Sequence, residues 1–512
     1  MSLTENLLLQ AQSLRLDGDI DTSIDLLLIV VKQCNADLPI DEKKSTGDGN
    51  SSTSGYSLET DSTVLRLRET AAYQLALLLL QRSGRRCNST SNDNDDDETE
   101  ADNVLSMLGY KLRLSKLAFG YPMCNCNQQQ RRYSNAQPTA SSPISAVVID
   151  DILPLSLFNA LQHAYRPESK YWSDLYNKVN SATTATEKQK NTNQFASHNI
   201  SLPPKNTNRS PSSILEQVAL IVQQQLQDDF PDITHATSVE VWSHRRPTDG
   251  EHQLHYDMDE IRLWKHRKGS INQGEDGAKR QKTNPKSNDG ISCPIVSCVL
   301  TVNIPSKQLE TCDVCGKAGN SNPTMICNQS ILDQGSTDSS NVGCLCCPYP
   351  NRLLAFDGSL LHGVIPGIPQ ESSATLDDDE RSSEDSYYMQ DISKTRPVSD
   401  DDNQRVTLML GFWKEVCLTD DSADIGPNVP FDSVSSSWKE EFNPVDTNES
   451  DFNHSGKKNT QLLYYIIDPL WVNIEEEDFG KYTAADSAKQ CGRFFLETTD
   501  SRDIDKKVLF GK

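Results

Sequence analysis

From residue 237 to residue 473 the sequence offers strand after strand and no helical period. The runs "TSVEVWSHRRP", "CPIVSCVLTVNIP", "PTMICNQ", "NRLLAFDGSLLHGVIPG", "RVTLMLGFWKEV" and "LLYYIIDPLWV" are rich in β-branched and aromatic residues, and Pro, Gly, Asn or Asp closes most of them. Consecutive strands without crossover helices pair antiparallel, which restricts this part of the chain to a sandwich or a barrel. Two helices precede it. Val147, Val148 and Ile149 form a short strand, Pro154 opens a helix over 154–165, and "PSSILEQVALIVQQQLQDDF" reads as another. The expected class is α+β, an antiparallel β core flanked by helices.

Residues 1–122 read differently. "ENLLLQAQSLRLDGDIDTSIDLLLIVVKQC" is a helix, a turn at Asp17-Gly18-Asp19, and a helix, with Leu7, Leu8, Ala11 and Leu14 on one face and Ile24, Leu27, Leu28 and Val31 on another. "TVLRLRETAAYQLALLLLQRSGR" and "ADNVLSMLGYKLRLSKLAFGY" predict a second helical pair. Ala11, Gly18, Ser23 and Val30 fall where a tetratricopeptide hairpin takes small or apolar residues, so the module is either tetratricopeptide-like or a plain bundle. Polar stretches at 36–60, 85–102, 124–143, 176–212, 267–290, 331–342 and 369–403 interrupt both zones. They carry too few large apolar residues to offset the entropy of ordering and are expected to be disordered insertions, which loops tolerate. The expected domains are therefore a helical module at 1–122, a β domain at 145–475 and an extension at 476–512.

The 512 residues carry a net charge of −24 and a pI near 4.8, a balance that repels phosphate backbones, so no nucleic-acid partner is expected. "MSLTENLLLQ" has no basic segment leading an apolar one, and "IDLLLIVV" and "LALLLL" are shorter than a membrane span; an intracellular, cytoplasmic or nuclear chain is expected. Arg267-Lys268 and the Lys279 to Lys282 cluster have bipartite import spacing, or form a solvated basic loop. The 14 cysteines are then thiols or metal ligands rather than disulfides. Cys312, Cys315, Cys344 and Cys346, with Cys327 and Cys347 nearby, are spaced for a structural zinc as well as for free thiols.

"HQLHYDMDE", residues 252–260, poses a sharper question. In extended chain residues i and i+2 share a face, so His255 and Asp257 present an imidazole and a carboxylate together, two thirds of a 2-His-1-carboxylate metal triad. A chain of this length holds about one His-x-Asp by chance, so a third ligand must be found elsewhere. His163 sits on an amphipathic helix, and His198, His266 and His454 lie in polar inserts. His362 ends the apolar run "LLAFDGSLLH" and is the candidate. Arg405 and Thr407 then share one face of "RVTLMLGFW", where a buried guanidinium beside a hydroxyl suits a carboxylate ligand.

The order His-x-Asp, His, Arg-x-Thr, each part on a strand, resembles the Fe(II)- and 2-oxoglutarate-dependent dioxygenases of the prolyl-4-hydroxylase-like branch, and the likeness covers about 145–475. It implies a double-stranded β-helix (jelly-roll) core, Fe(II) on His255, Asp257 and His362, 2-oxoglutarate with its far carboxylate on Arg405 and Thr407, O2 as the oxidant, and ascorbate as an optional reductant. The implied reaction hydroxylates a C–H bond, with a protein or peptide side chain as the leading substrate, and releases succinate and carbon dioxide. Asp257 argues against the halogenating variant. Two departures stand out: relatives' Gly-Gly-x-Thr turn is "GNSNPTMICNQ" here, keeping only Thr324, and a long acidic insert separates His362 from Arg405. Trp242, His244 and Arg245 are placed to line the pocket, though sheet packing accounts for Trp242 equally well. The rival readings are a scaffold with an inactive β-helix and a cupin-type metalloenzyme that uses no 2-oxoglutarate.

Overall fold

The computed structural model describes residues 2–16, 19–37, 58–86, 95–107, 112–119, 146–174, 196–204, 209–247, 252–259, 261–262, 291–304, 322–332, 342–365, 404–419, 428–446, 464–467 and 469–474. The expected insertions at 124–143, 267–290 and 369–403, the basic clusters, Cys312, Cys315, His266, His454 and the extension at 476–512 lie outside these residues.

Four helices come first: α1 (Leu3–Leu16), α2 (Ile20–Asp37), α3 (Leu58–Arg86) and α4 (Asp95–Met107). Small residues let α1 and α2 approach closely: Ala11 and Ser23 are fully buried, and the Ser23 hydroxyl donates to the Ala11 carbonyl at 2.8 Å. The α4 helix corrects the expected insertion at 85–102. Its acidic start meets the positive end of the helix dipole, and tertiary cations complete the neutralisation. Asp97 takes a two-pronged contact from Arg82, at 2.9 and 2.6 Å, while Glu98 accepts from Arg113 and Lys116. The predicted continuation of this helix through 121 is also corrected. The chain turns extended at β1 (Leu112–Leu114), then makes a 3-10 turn over Lys116–Ala118.

The remaining elements are β2 (Ala146–Ile149), α5 (Leu155–Ala164), β3 (His198–Ser201), α6 (Ile214–Leu226), β4 (Ser238–Pro247), β5 (His252–His255), β6 (Val296–Asn303), β7 (Thr324–Ser330), β8 (Gly343–Cys346), β9 (Leu353–Asp357), β10 (Leu360–Val364), β11 (Gln404–Trp413), β12 (Val429–Pro430), β13 (Tyr464–Ile467) and β14 (Trp471–Asn473). The β3 strand overturns part of the expected insertion at 176–212: His198 is buried in the sheet, against Phe431 and Trp438. Ser213 and Glu216 start α6 as a capping box, the Ser213 hydroxyl accepting from the Glu216 amide and the Glu216 carboxylate accepting from the Ser212 amide.

The strands form a seven-stranded sheet, in the order β12-β3-β4-β11-β6-β9-β2, and a five-stranded sheet, β13-β8-β7-β10-β5; β1 and β14 make a separate ribbon. Every pairing is antiparallel except β12 with β3. The β11 strand shows how period two builds the layers. Val406, Leu408, Leu410 and Phe412 join the core beneath α5 and α6, whereas Met409 joins Trp242, Val299, Ile326, Cys344, Cys346 and Phe356 between the two sheets. A third apolar cluster runs from α1–α4 through Ala118, Phe119, Leu470 and Trp471 to Leu254, Met325, Cys327, Leu345 and Leu361 on the five-stranded sheet. The helical module thus covers the outer face of the sheet that carries two of the candidate ligands. Among the described residues no helix is long and apolar enough to cross a membrane.

Candidate metal centre

Two neighbouring strands deliver the site. His255 ends β5 and His362 lies in β10, and the two residues are directly opposed in the antiparallel register, so their imidazoles meet with ring centroids 4.4 Å apart. Asp257 follows two residues after His255, just past the end of β5. Its carboxylate Oδ1 stands 3.7 Å from His255 Nε2 and 3.6 Å from His362 Nε2, beyond hydrogen-bond reach of either. One ligating atom from each residue lies within 4.8 Å of the others, and among the described residues this is the one group of His, Cys, Asp and Glu so arranged.

The surroundings prepare these atoms. His362 Nδ1 lies 2.9 Å from the Leu360 carbonyl, an acceptor only, so that nitrogen carries the proton and Nε2 keeps its lone pair. His362 Nε2 is buried and has no hydrogen-bond partner, an arrangement a folded protein rarely leaves uncompensated. Asp257 Oδ2 accepts from the Ser297 hydroxyl at 2.6 Å, which leaves Oδ1 facing the two imidazoles. Burial works to raise the Asp257 carboxyl. His362 above all, then His255 and the Ser297 hydroxyl, override it and hold the group down at about 2. Burial likewise opposes charge on His362, and the Asp257 carboxylate outweighs it, so the imidazole titrates above its ordinary value. Two imidazole nitrogens and one carboxylate oxygen facing a common point fit a divalent metal such as Fe(II), and the fit rests on the donor set alone.

The same inter-sheet cavity, about 370 Å³ counting its open mouth, is lined by His255 and His362 and also by His244, Thr324, Arg405 and Thr407, with Val299 and Met409 as apolar wall. Arg405 is buried and donates from one terminal nitrogen to the Asn322 carbonyl at 2.6 Å. The other guanidinium near this cavity, Arg352, is engaged by Asp150 at 2.6 and 3.0 Å and stacks over Tyr349. Of the three residues expected to line the pocket from β4, His244 does so. Trp242 packs in the inter-sheet layer, and Arg245 points to the opposite face, donating to the Pro167 carbonyl and lying over Trp172.

The expected zinc site is not borne out among the described residues. Cys344 and Cys346 occupy β8 and are buried in the apolar layer between the sheets. Burial pushes both thiols up, Cys344 to about 12. Two residues that sequence reasoning passed over also shape the site. Ser297 is one. Asp259 is the other: it is buried, accepts from the amides of Arg262 and Cys417 at 2.8 and 2.7 Å, and fixes the segment that follows Asp257. Asp259 stood in the quoted acidic stretch; Ser297 carried no local mark beyond its inward position on β6.

No protein-family model matches the chain, and no curated protein matches it. It is similar to solved non-haem oxygenases. These include a prolyl-4-hydroxylase of Pseudomonas putida, at 12% identity over 54% of this chain and 90% of that one, TM-score 0.23. HygX of Streptomyces hygroscopicus, with nickel and 2-oxoglutarate bound, matches at 10% identity over 57% of this chain and 96% of that one, TM-score 0.22. The nickel complex of the non-haem monooxygenase ThoJ matches at 9% identity over 61% of this chain and 89% of that one, TM-score 0.25. Overlaps this loose say nothing about chemistry, which rests on the side chains above.

Proposed function

We propose that the chain is an Fe(II)- and 2-oxoglutarate-dependent oxygenase that hydroxylates a C–H bond, a protein side chain being the leading substrate class, with release of succinate and carbon dioxide. The observation that carries the reading is a single one: His255, His362, Arg405 and Thr407 line one cavity, with Asp257 completing the ligand set at the imidazole end. The facing antiparallel sheets around that cavity are read as a double-stranded β-helix. A buried guanidinium in the same cavity suits a carboxylate-bearing cosubstrate, which a cupin-type site without 2-oxoglutarate does not require.

In this reading His255, Asp257 and His362 hold the metal, which when bound supplies the redox chemistry that couples oxidation of a 2-oxo acid to oxidation of the substrate. The chain does the rest. The Leu360 carbonyl holds the His362 proton on Nδ1, so that Nε2 is the ligating atom. The Arg405 guanidinium and Thr407 hydroxyl bind the far carboxylate of 2-oxoglutarate by charge-assisted hydrogen bonds. Thr324, the one residue kept from the relatives' turn motif, adds a second hydroxyl to the cavity wall, and Val299 and Met409 give it an apolar side.

The test is 2-oxoglutarate turnover by the purified full chain given Fe(II) and O2, read as succinate formation with and without candidate peptides. Succinate should form with the native chain and vanish with His362→Ala or after chelation. Metal uptake without any 2-oxoglutarate-dependent succinate would refute the proposal.

A further inference from the structure

The β6 strand presents Ser297, Val299 and Thr301 to the inter-sheet space, while Val296, Cys298, Leu300 and Val302 face the core under the helices. Of these inward residues Ser297 hydrogen-bonds to a candidate ligand. It is buried, it pairs in register with Gly411 and Phe356, and its hydroxyl stands 2.6 Å from Asp257 Oδ2. A carboxylate accepts only, so the hydroxyl donates. The two oxygens of Asp257 are thereby made unequal: Oδ2 is occupied, and Oδ1 faces both imidazole nitrogens.

We infer that Ser297 is a positioning residue that makes Asp257 a one-oxygen ligand. The inference rests on the metal-site reading above. A carboxylate free to turn can offer both oxygens to one ion and fill an extra coordination position. With Oδ2 held by Ser297, the triad takes three positions and leaves the rest to cosubstrate and oxidant. Asp257 belongs to a short irregular segment beyond the end of β5, so the sheet ladder does not orient it; Asp259 anchors the backbone after it and Ser297 holds the side chain itself.

Metal-free full-length protein, native and with Ser297→Ala, Ser297→Thr or Ser297→Cys, is titrated with Co(II). Three quantities are read: Co(II) affinity, the visible absorption of the bound ion, and the melting temperature of the metal-free form. Ser297→Ala should bind Co(II) about 10- to 100-fold more weakly, the usual effect of losing a group that orients a ligand. Its absorption should change as the second oxygen enters, while the metal-free melting temperature moves little. Ser297→Thr keeps the hydroxyl and should restore both affinity and spectrum. Ser297→Cys, of similar size but a weak donor, should fall between, and it reads the same effect if the alanine variant does not fold. A Ser297→Ala protein with native affinity and spectrum overturns the role of Ser297 and leaves the metal site standing. A native chain that takes up no Co(II) overturns both.

Discussion

Arg405→Lys separates charge from geometry at the far end of the proposed cosubstrate site. The lysine keeps the positive charge but replaces a planar fork with a single ammonium. Arg405 already spends one terminal nitrogen on the Asn322 carbonyl, at 2.6 Å, which holds the guanidinium plane in place. The guanidinium and the Thr407 hydroxyl lie on the same side of β11 and line the cavity that a carboxylate would enter. A hydrogen bond to a charged group contributes roughly 1.5–3 kcal/mol, and each 1.4 kcal/mol is a factor of ten, so losing one prong should weaken 2-oxoglutarate about 10- to 100-fold. Calorimetry under argon on Co(II)-loaded protein gives cosubstrate affinity, and a parallel Co(II) titration gives metal affinity. The expected result is a loss confined to the first. Unchanged 2-oxoglutarate affinity with metal retained would remove Arg405 from the site and favour a metalloenzyme that uses no 2-oxoglutarate.

Two further predictions concern the scaffold. Burial, helped by Lys439, pushes His198 down to about 4, below its ordinary value near 6.5, so the unfolded chain binds the extra proton first. Its contribution to stability is therefore complete above about pH 6.5 and is lost as pH falls toward 4, some 3 kcal/mol in all; denaturant melts of native protein and His198→Phe at pH 7 and pH 4.5 should show the difference shrinking in the variant, and parallel pH profiles would contradict it. Phe119 is fully buried in the cluster joining the helices to the five-stranded sheet, and Phe119→Ala should cost about 3–5 kcal/mol in the same melts, a change under 1 kcal/mol refuting the joint.

Much of the β domain was legible because period two survives in single strands. "RVTLMLGFW" separates Arg405, Thr407 and Met409 from the apolar residues between them, and the structure sends the two sets to opposite faces. Sheet membership was not legible. "LLAFDGSLLHGV" reads as one buried run, yet β9 joins the seven-stranded sheet and β10 the five-stranded one. The crossing turns on Gly358, where an added Cβ would fall 2.3 Å from the Pro294 carbonyl oxygen, a contact with no trace in local sequence. Tertiary partners likewise hid α4 and β3. The acids of α4 look like solvated chain until Arg82, Arg113 and Lys116 are brought to them, and the short strand at His198 borrows its pairing from β4. Within the site, the three candidate ligands that spacing and order picked out do lie together, whereas Ser297 makes its contact across the fold, to a loop its own segment does not mention.

The ribbon that joins Leu112–Leu114 to Trp471–Asn473 has a consequence for the order of events during synthesis. The helices are made first, but the strand that β1 pairs with, along with Leu470 and Trp471 of the joint, leaves the ribosome only after every other described strand. Until then the apolar seam of the helical module lacks Leu470, Trp471 and the pairing of β1, and closing so long a loop is slow even where its entropy grows gently with length. The helical module, made before the strands, thus completes its docking only after the last of them, and a nascent chain stalled before residue 470 leaves part of that apolar seam open, of the kind chaperones bind.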